Sequence, residues 1–495
     1  LRKFTIEIEN LGLGGLCTAY WKSDYATYGN KNQANAMRNM DLRNPNNIQP
    51  GPSRQRLTNG DESGVVGSLA LRIMARAFAS NETYGTMGKN IIKITSTTVT
   101  NNHALNTTEL GADTQAEDIT EYHDLLFYTS NSSTVAGIGQ RDAALVYDDD
   151  WLHRGTGSTT GTFSLTVGVP HKLLVGGDDI LYITNGNKIS SYDIFTDIGT
   201  EEAIDLPSDA VVTDIEWNNN LMIITVDWPK ITGSNRTLQR VFIWDTVNES
   251  WENDTPQIRR GGTLYTKEGI TFVFYEDITS DGTGRLGYFD GSSIKELAQF
   301  DGTIPKFYQV DEKDGFICWV STVGSEDLIF CWGSGDPKLP ARLFQLMRGH
   351  HNNIGAIGLP FGSLIVASEN GSSGGDNIRA DISKEAGWDY DSYFYGMTFP
   401  VSLDERSAMI RKMTIDCNQL QTGAETIIKL RNSAGTELYR RTFSYSRIGR
   451  KTKKIYMLSK RSEDARIEID NRSGFSSTTT IAIIKKVILS GYSTG

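Results

Sequence analysis

Histidine, cysteine and proline are scarce in this chain. Six histidines and four cysteines among 495 residues leave little material for a transition-metal centre, which draws its ligands chiefly from those two types. Cys17, Cys318, Cys331 and Cys417 follow no zinc-ligand spacing. Cys318 and Cys331 lie in similar apolar settings and read as buried neighbours across a hairpin turning near Gly324-Ser325. No apolar run approaches the roughly 20 residues that span a bilayer. The first residues, with Phe4, Ile6 and Ile8 alternating against polar neighbours, read as a strand and not as a secretory leader. Catalytic signatures are missing too: there is no Gly-x-Ser-x-Gly elbow, Walker A loop or His-Glu-x-x-His helix. His123, His153, His171, His350 and His351 lack a third partner at ligand spacing and read as structural or loop residues. Asp148-Asp149-Asp150 lacks the alternating carboxylates of a calcium loop. No catalytic, cofactor-binding or metal-binding residue is therefore assigned, no cofactor is expected, and the chain is expected not to be an enzyme.

What the chain has in quantity is turn residues between short apolar runs. An apolar run ending in an aromatic and then Asp recurs at Tyr147-Asp148, Tyr192-Asp193, Trp244-Asp245 and Phe289-Asp290, with gaps of 45, 52 and 45 residues. A four-stranded sheet with its turns consumes about that length, and repeated small sheets are the mark of a β-propeller. Seven runs read as inner strands: Ile91–Ile94, Leu125–Tyr128, Ile180–Ile183, Leu221–Ile224, Ile270–Phe274, Phe316–Val320 and Leu364–Val366. The polar segment 101–121 reads as an insertion or long loop. The fold expected is all-β: an irregular six- or seven-bladed propeller over 58–395, an N-terminal arm over 1–57 with a short helix near Gln33–Met40, and a C-terminal β-sandwich over 396–495.

Charge is unevenly spread. From Asp404 onward 18 Lys and Arg face 9 Asp and Glu, a net of +9, so the residues before carry −20 of the overall −11. The densest basic cluster is Arg440-Arg441, Arg447, Arg450-Lys451, Lys453-Lys454 and Lys460-Arg461. It reads either as a solvated hairpin surface, where exposed Lys discourages edge pairing, or as contact with nucleic acid or an acidic partner protein. An acidic body joined to a basic end suggests that the two face different partners.

The order of parts resembles the tail nozzle proteins of short-tailed bacteriophages, the tail tubular protein B class. The matching residues are Ile8-Glu9-Asn10-Leu11 with Gly14-Gly15, then Tyr25, Asn39-Met40-Asp41-Leu42, Pro50-Gly51-Pro52, and the strand Gly88–Ile94 after them. That resemblance implies a virion protein of the tail, a nozzle subunit assembled as a cyclic homo-oligomer, with a hexamer as the family's form. It implies a place below a head-to-tail adaptor, beside other tail proteins, around a channel through which DNA passes without sequence-specific binding. The alternative is a tail or fibre propeller that binds host-surface glycans, for which Trp151, Trp217, Trp228 and Trp251 are the aromatic candidates.

Overall fold

The computed structural model describes residues 2–9, 13, 34–44, 46–47, 49–61, 71–74, 83–142, 144–149, 151, 165–230, 237–248, 253–258, 261–276, 283–348, 354–358, 363–371, 378–386, 392–396, 399–401, 408–418, 425–444, 453–471 and 483–493. Apart from short helical turns such as Thr107–Leu110, the regular structure in them is β. Seven of the four-stranded antiparallel sheets among the described residues belong to one repeating body. Sheet 1 is Leu71–Met74, Thr83–Met87, Asn90–Ile94 and Val99–Ala104. Sheet 2 is Gln115–Tyr122, Leu125–Asn131, Ala136–Arg141 and Tyr147–Asp148. Sheet 3 is Leu173–Val175, Leu181–Asn185, Lys188–Asp193 and Ile198–Asp205. Sheet 4 is Val211–Asn218, Leu221–Lys230, Thr237–Trp244 and Asn253–Ile258. Sheet 5 is Gly261–Lys267, Ile270–Glu276, Thr283–Phe289 and Ile294–Asp301. Sheet 6 is Val310–Lys313, Phe316–Val323, Glu326–Gly333 and Arg342–Arg348. Sheet 7 is Ile354–Gly358, Ile365–Gly371, Ile378–Ala386 and Ser53–Asp61.

First strands touch first strands around a ring. Gln115–Tyr122 meets Leu173–Val175, which meets Val211–Asn218, which meets Gly261–Lys267. Val310–Lys313 meets Ile354–Gly358, which meets Leu71–Met74, and Leu71–Met74 meets Gln115–Tyr122. Sheets 5 and 6 join through Trp319, whose ring lies 5.3 Å from Phe274 and 4.9 Å from Phe300. This radial order is a β-propeller. Ser53–Asp61 lies before sheet 1 in the chain yet completes sheet 7 by pairing with Ile378–Ala386. A strand from one end of the repeat thus ties the ring shut.

The seven apolar runs fall in seven different sheets, but none is the innermost strand. Each is the second strand of its sheet, or the third in sheet 1. The innermost strands are more polar, as in Gln115–Tyr122, and bulges at Ala116/Ile119, Val212/Asp214 and Gly261/Thr263 break their alternation. For the same reason 101–121 is no long loop: it holds the last strand of sheet 1, the turn Thr107–Leu110 and the first strand of sheet 2. Its polar residues face the outer edge and the axis.

Two further sheets follow. Sheet 8 is Arg2–Glu9, Ile484–Ser493, Ala408–Cys417 and Lys453–Ser462, in that order. Sheet 9 runs Ala34–Arg38, Ser392–Gly396, Asp464–Asn471, Glu425–Arg431 and Glu437–Ser444, with Phe399–Pro400 also pairing with Asp464–Asn471. Ile8, Met413, Ile415 and Leu489 of sheet 8 share a core with Ile428, Ile467 and Ile469 of sheet 9. Parts of the N-terminal segment therefore belong to this unit. Arg2–Glu9 pairs along its whole length with Ile484–Ser493. Ala34–Arg38 is a strand on Ser392–Gly396, not the expected helix, and Asn39 follows it at φ 49°. A neighbouring strand outweighs a weak local helix preference.

The next residues dock on sheet 6 of the same chain. Met40–Asp41 pairs with Gln49–Pro50 and packs on Arg342–Arg348. Arg342 is buried, with Nε donating to Leu42 O at 2.8 Å and Nη2 to Arg43 O at 2.9 Å. Gly51 donates to Asn39 O at 2.5 Å. A Cβ there would lie 1.9 Å from Leu346 O, so only glycine fits.

Candidate functional site

The innermost strands bring ionic side chains together at the axis. Lys172 leads into sheet 3, and Asp214 and Glu216 sit on the first strand of sheet 4. Lys172 Nζ lies 2.6 Å from Asp214 Oδ1, 2.8 Å from Glu216 Oε1 and 2.8 Å from Ile215 O. Asp214 is held by backbone as well: Ile215 N donates to Oδ1 at 2.8 Å and Leu264 N, from sheet 5, to Oδ2 at 2.8 Å. Burial opposes the charge on Lys172, but the two carboxylates override it and raise its pKa above the ordinary lysine value. Burial also raises Asp214 and Glu216, and the ammonium offsets this only in part.

Phe307 lies 5.8 Å from Lys172 Nζ. The Tyr265 hydroxyl is pushed up by burial and by the charges of Asp311, Glu312 and Glu216. Lys267 Nζ pairs with Glu312 Oε1 at 2.7 Å, joining sheets 5 and 6. Each proton of the Lys172 ammonium has an acceptor, so the group is locked in place. Among the described residues no group of three or more His, Cys, Asp or Glu is placed to hold a metal ion.

Residues singled out from the sequence take structural places where they are described. Three of the four aspartates that end the repeats form their turns: Asp193 Oδ1 accepts from Phe195 N at 2.9 Å, Asp245 Oδ1 from Val247 N at 2.9 Å and Asp290 Oδ1 from Ser292 N at 2.9 Å, and Asp148 lies in the strand Tyr147–Asp148. Asp149 accepts from Asn106 N at 2.6 Å, contacts His103 Nε2 at 2.7 Å and takes the Tyr128 hydroxyl. His171 is buried, with Nδ1 2.7 Å from Thr184 O, and His123 Nε2 lies 2.9 Å from Asp179 Oδ1 on an exposed turn. Cys318 and Cys331 face each other in register as free, buried thiols.

Trp151 packs in a core with Phe127 and Tyr192. Trp217 and Trp228 are half-buried against the core of sheet 4. Arg440 and Arg441 lie on Glu437–Ser444, and Lys453, Lys454, Lys460 and Arg461 on Lys453–Ser462, two strands that end their sheets. His153, His350, His351, Trp251, Asp150, Arg447, Arg450 and Lys451 lie outside the described residues.

The axial cluster was not singled out from the sequence, though a signal for it exists. Asp118-Ile119 and Asp214-Ile215 each precede a threonine by the same interval, Thr129 and Thr225, which are 11 residues from their aspartates. These polar positions recur on sheets 2 and 4 at the same interval.

No family model matches the chain, and no curated protein matches it. Solved structures do. An extracellular domain assigned to a one component system of B. thetaiotaomicron matches at 11% identity and TM-score 0.43, over 75% of this chain and 44% of that one, so the chain spans under half of that domain's length. The β-propeller domain of the Trilobed protease from Pyrococcus furiosus matches at 13% and 0.38, over 69% and 97%. An exo-β-1,3-galactanase from Phanerochaete chrysosporium matches at 7% and 0.29, over 76% and 95%. These likenesses concern the fold. They also correct one expectation: further glycoside hydrolases stand among the matches, so the expectation that the chain is not an enzyme is not kept. Fold alone does not assign an activity.

Proposed function

We propose that this chain is a structural subunit of a bacteriophage tail, a nozzle or tail-tube protein of the virion. In this reading it forms a cyclic homo-oligomer, of which a hexamer is the form that the resemblance implies. The ring joins a head-to-tail adaptor to distal tail parts and surrounds the path of the ejected DNA, which passes without sequence-specific contact. Among the described residues no helix is long and apolar enough to cross a membrane.

The observation that carries the reading is the double closure of the body. Ser53–Asp61 completes sheet 7, and Arg2–Glu9 and Ala34–Arg38 complete sheets 8 and 9. The same N-terminal residues that carry the family resemblance, Asn39–Leu42 and Pro50–Pro52, are wedged against sheet 6. A tail that transmits load needs units whose parts cannot shear, and strands far apart in sequence supply that. Electron microscopy of the purified protein tests the reading: closed rings with a central channel are expected, and isolated monomers at all concentrations overturn it.

A further inference from the structure

Six of the eight exposed large hydrophobic residues among the described residues lie at one end of the propeller. In each sheet the turns between strands one and two and between strands three and four share that end, because the strands are antiparallel. Leu145 and Val146, 65% and 59% exposed, lie in the second such turn of sheet 2. Phe195, 73% exposed, and Ile198 lie in that of sheet 3, and Val247, 84% exposed, in that of sheet 4. Ile270 follows the first turn of sheet 5. They form one arc over four consecutive sheets.

The arc is acidic. On sheets 2 to 4 these turns and the strand ends beside them carry Asp124, Asp142, Asp148, Asp178, Asp179, Asp193, Asp197 and Asp245, against one cation among the described residues, the buried Arg141. Turn hydrogen bonds keep charge there: the Thr196 hydroxyl and Phe195 N hold Asp193 below its ordinary pKa. Exposed apolar residues gathered at one end of a molecule are the kind of surface that marks interaction sites.

The complement lies on the same chain. Glu437–Ser444 ends sheet 9 and Lys453–Ser462 ends sheet 8. The Tyr439 and Tyr456 rings, 6.0 Å apart, put these two edges side by side, with the Arg441 guanidinium 5.8 Å from the Tyr456 ring. Arg440, Arg441, Lys460 and Arg461 are exposed along them. Sheet 9 meets the propeller through its opposite edge, Ala34–Arg38, which packs on the outer strand of sheet 6. The basic edge therefore points away from its own propeller. Sheets 2 and 3 lie across the ring from sheet 6, and sheet 4 lies two sheets from it. The acidic, apolar-tipped turns and the basic edge are thus separate surfaces of one subunit.

We propose that the basic double edge of one copy docks on the acidic, apolar-tipped arc of the next. Such a contact is head-to-tail and generates a closed ring or a filament. The proposal rests on the oligomeric reading above and names its interface. Charge complementarity would speed and orient assembly, and the apolar tips would supply the buried area.

The test is the mass distribution of full-length protein by light scattering or native mass spectrometry, at low and high salt. The variants are F195S/V247S, R440E/R441E, and R440E/R441E combined with D124K/D142K. Oligomers are expected for the wild type. Each of the first two variants is expected to weaken assembly at least tenfold with an unchanged melting temperature, and the charge swap to restore it. Wild-type oligomers with variants of the same mass would overturn this interface and leave the proposed function standing. Loss in both patches without recovery in the swap would overturn the pairing. A monomeric wild type would overturn both readings.

Discussion

Asp118 and Asp214 perform the same task on sheets 2 and 4. Each accepts the N–H of the residue after it, Ile119 at 2.6 Å and Ile215 at 2.8 Å. Each turns its other oxygen to the next sheet, Asp118 to Leu173 N at 2.6 Å and Asp214 to Leu264 N at 2.8 Å. Threonines add parallel links: Thr129 donates to His171 O at 3.0 Å, Thr225 to Gly262 O at 2.5 Å and Thr263 to Pro305 O at 2.6 Å. The ring is thus held near its axis by buried polar contacts between neighbouring sheets as well as by apolar packing.

The two aspartates differ in one respect that a substitution exposes. Asp214 also neutralises the buried Lys172, whereas Asp118 Oδ2 accepts from the backbone of Leu173. Asp214→Ala leaves an ammonium short of a partner, at a cost of about 3–5 kcal/mol. Asp118→Ala costs about 1–3 kcal/mol through an unsatisfied amide. Denaturant unfolding should rank them in that order, and D214A/K172M should recover part of the D214A loss. Equal midpoints for D118A and D214A would show that the ion pair adds nothing.

Docking of the N-terminal segment rests on Arg342 and Gly51. Arg342→Ala removes two charge-assisted bonds to the carbonyls of Leu42 and Arg43, a loss of about 3 kcal/mol. Gly51→Ala forces a Cβ into Leu346 O and must shift the backbone. Limited proteolysis should then cut both variants near residues 39–51 well before the propeller. Cleavage at the wild-type rate would mean that the segment is held by other contacts.

How far this was legible from the sequence follows from where the side chains point. Strands such as Phe316–Val323 are buried on both faces, and their apolar runs are continuous, so the period and the all-β class could be read directly. Axial strands read poorly because Asp118, Asp214 and Glu216 interrupt the pattern that marks a buried strand. The pairing of Arg2–Glu9 with Ile484–Ser493 could not be read at all, since strand partners so distant leave no local signature. The hairpin of Cys318 and Cys331 was legible because both strands and the turn lie within a few residues.

Those cysteines give a chemical prediction. Cys318, Cys331 and Cys417 are buried, and burial with the neighbouring Cys318 pushes the Cys331 thiol well above its ordinary range. Thiolate is the reactive form. In the native protein these three should react with an aromatic disulfide reagent far more slowly than in denaturant. Rapid native labelling of Cys331, located by peptide mass mapping, would contradict the packing of sheet 6.

His171 makes acid stability a test of the axial contacts. Burial lowers its pKa below the ordinary 6.5, against the pull of the Thr184 and Thr166 carbonyls. The unfolded chain therefore binds a proton at a pH where the folded chain does not. Stability from this group is fully present above about pH 6.5 and is lost as pH falls toward the folded pKa, by at most about 1.4 kcal/mol per unit. Unfolding free energies from pH 7.5 to 5 should decline in the wild type and decline less in His171→Gln, which carries no titrating ring. The carboxylates Asp214 and Glu216 act in the opposite sense, since burial raises them. Acidification through their raised values therefore adds stability, so the comparison of wild type with His171→Gln, in which these carboxylates are common to both, isolates the His171 slope. Parallel slopes in wild type and variant would place the acid sensitivity elsewhere in the molecule.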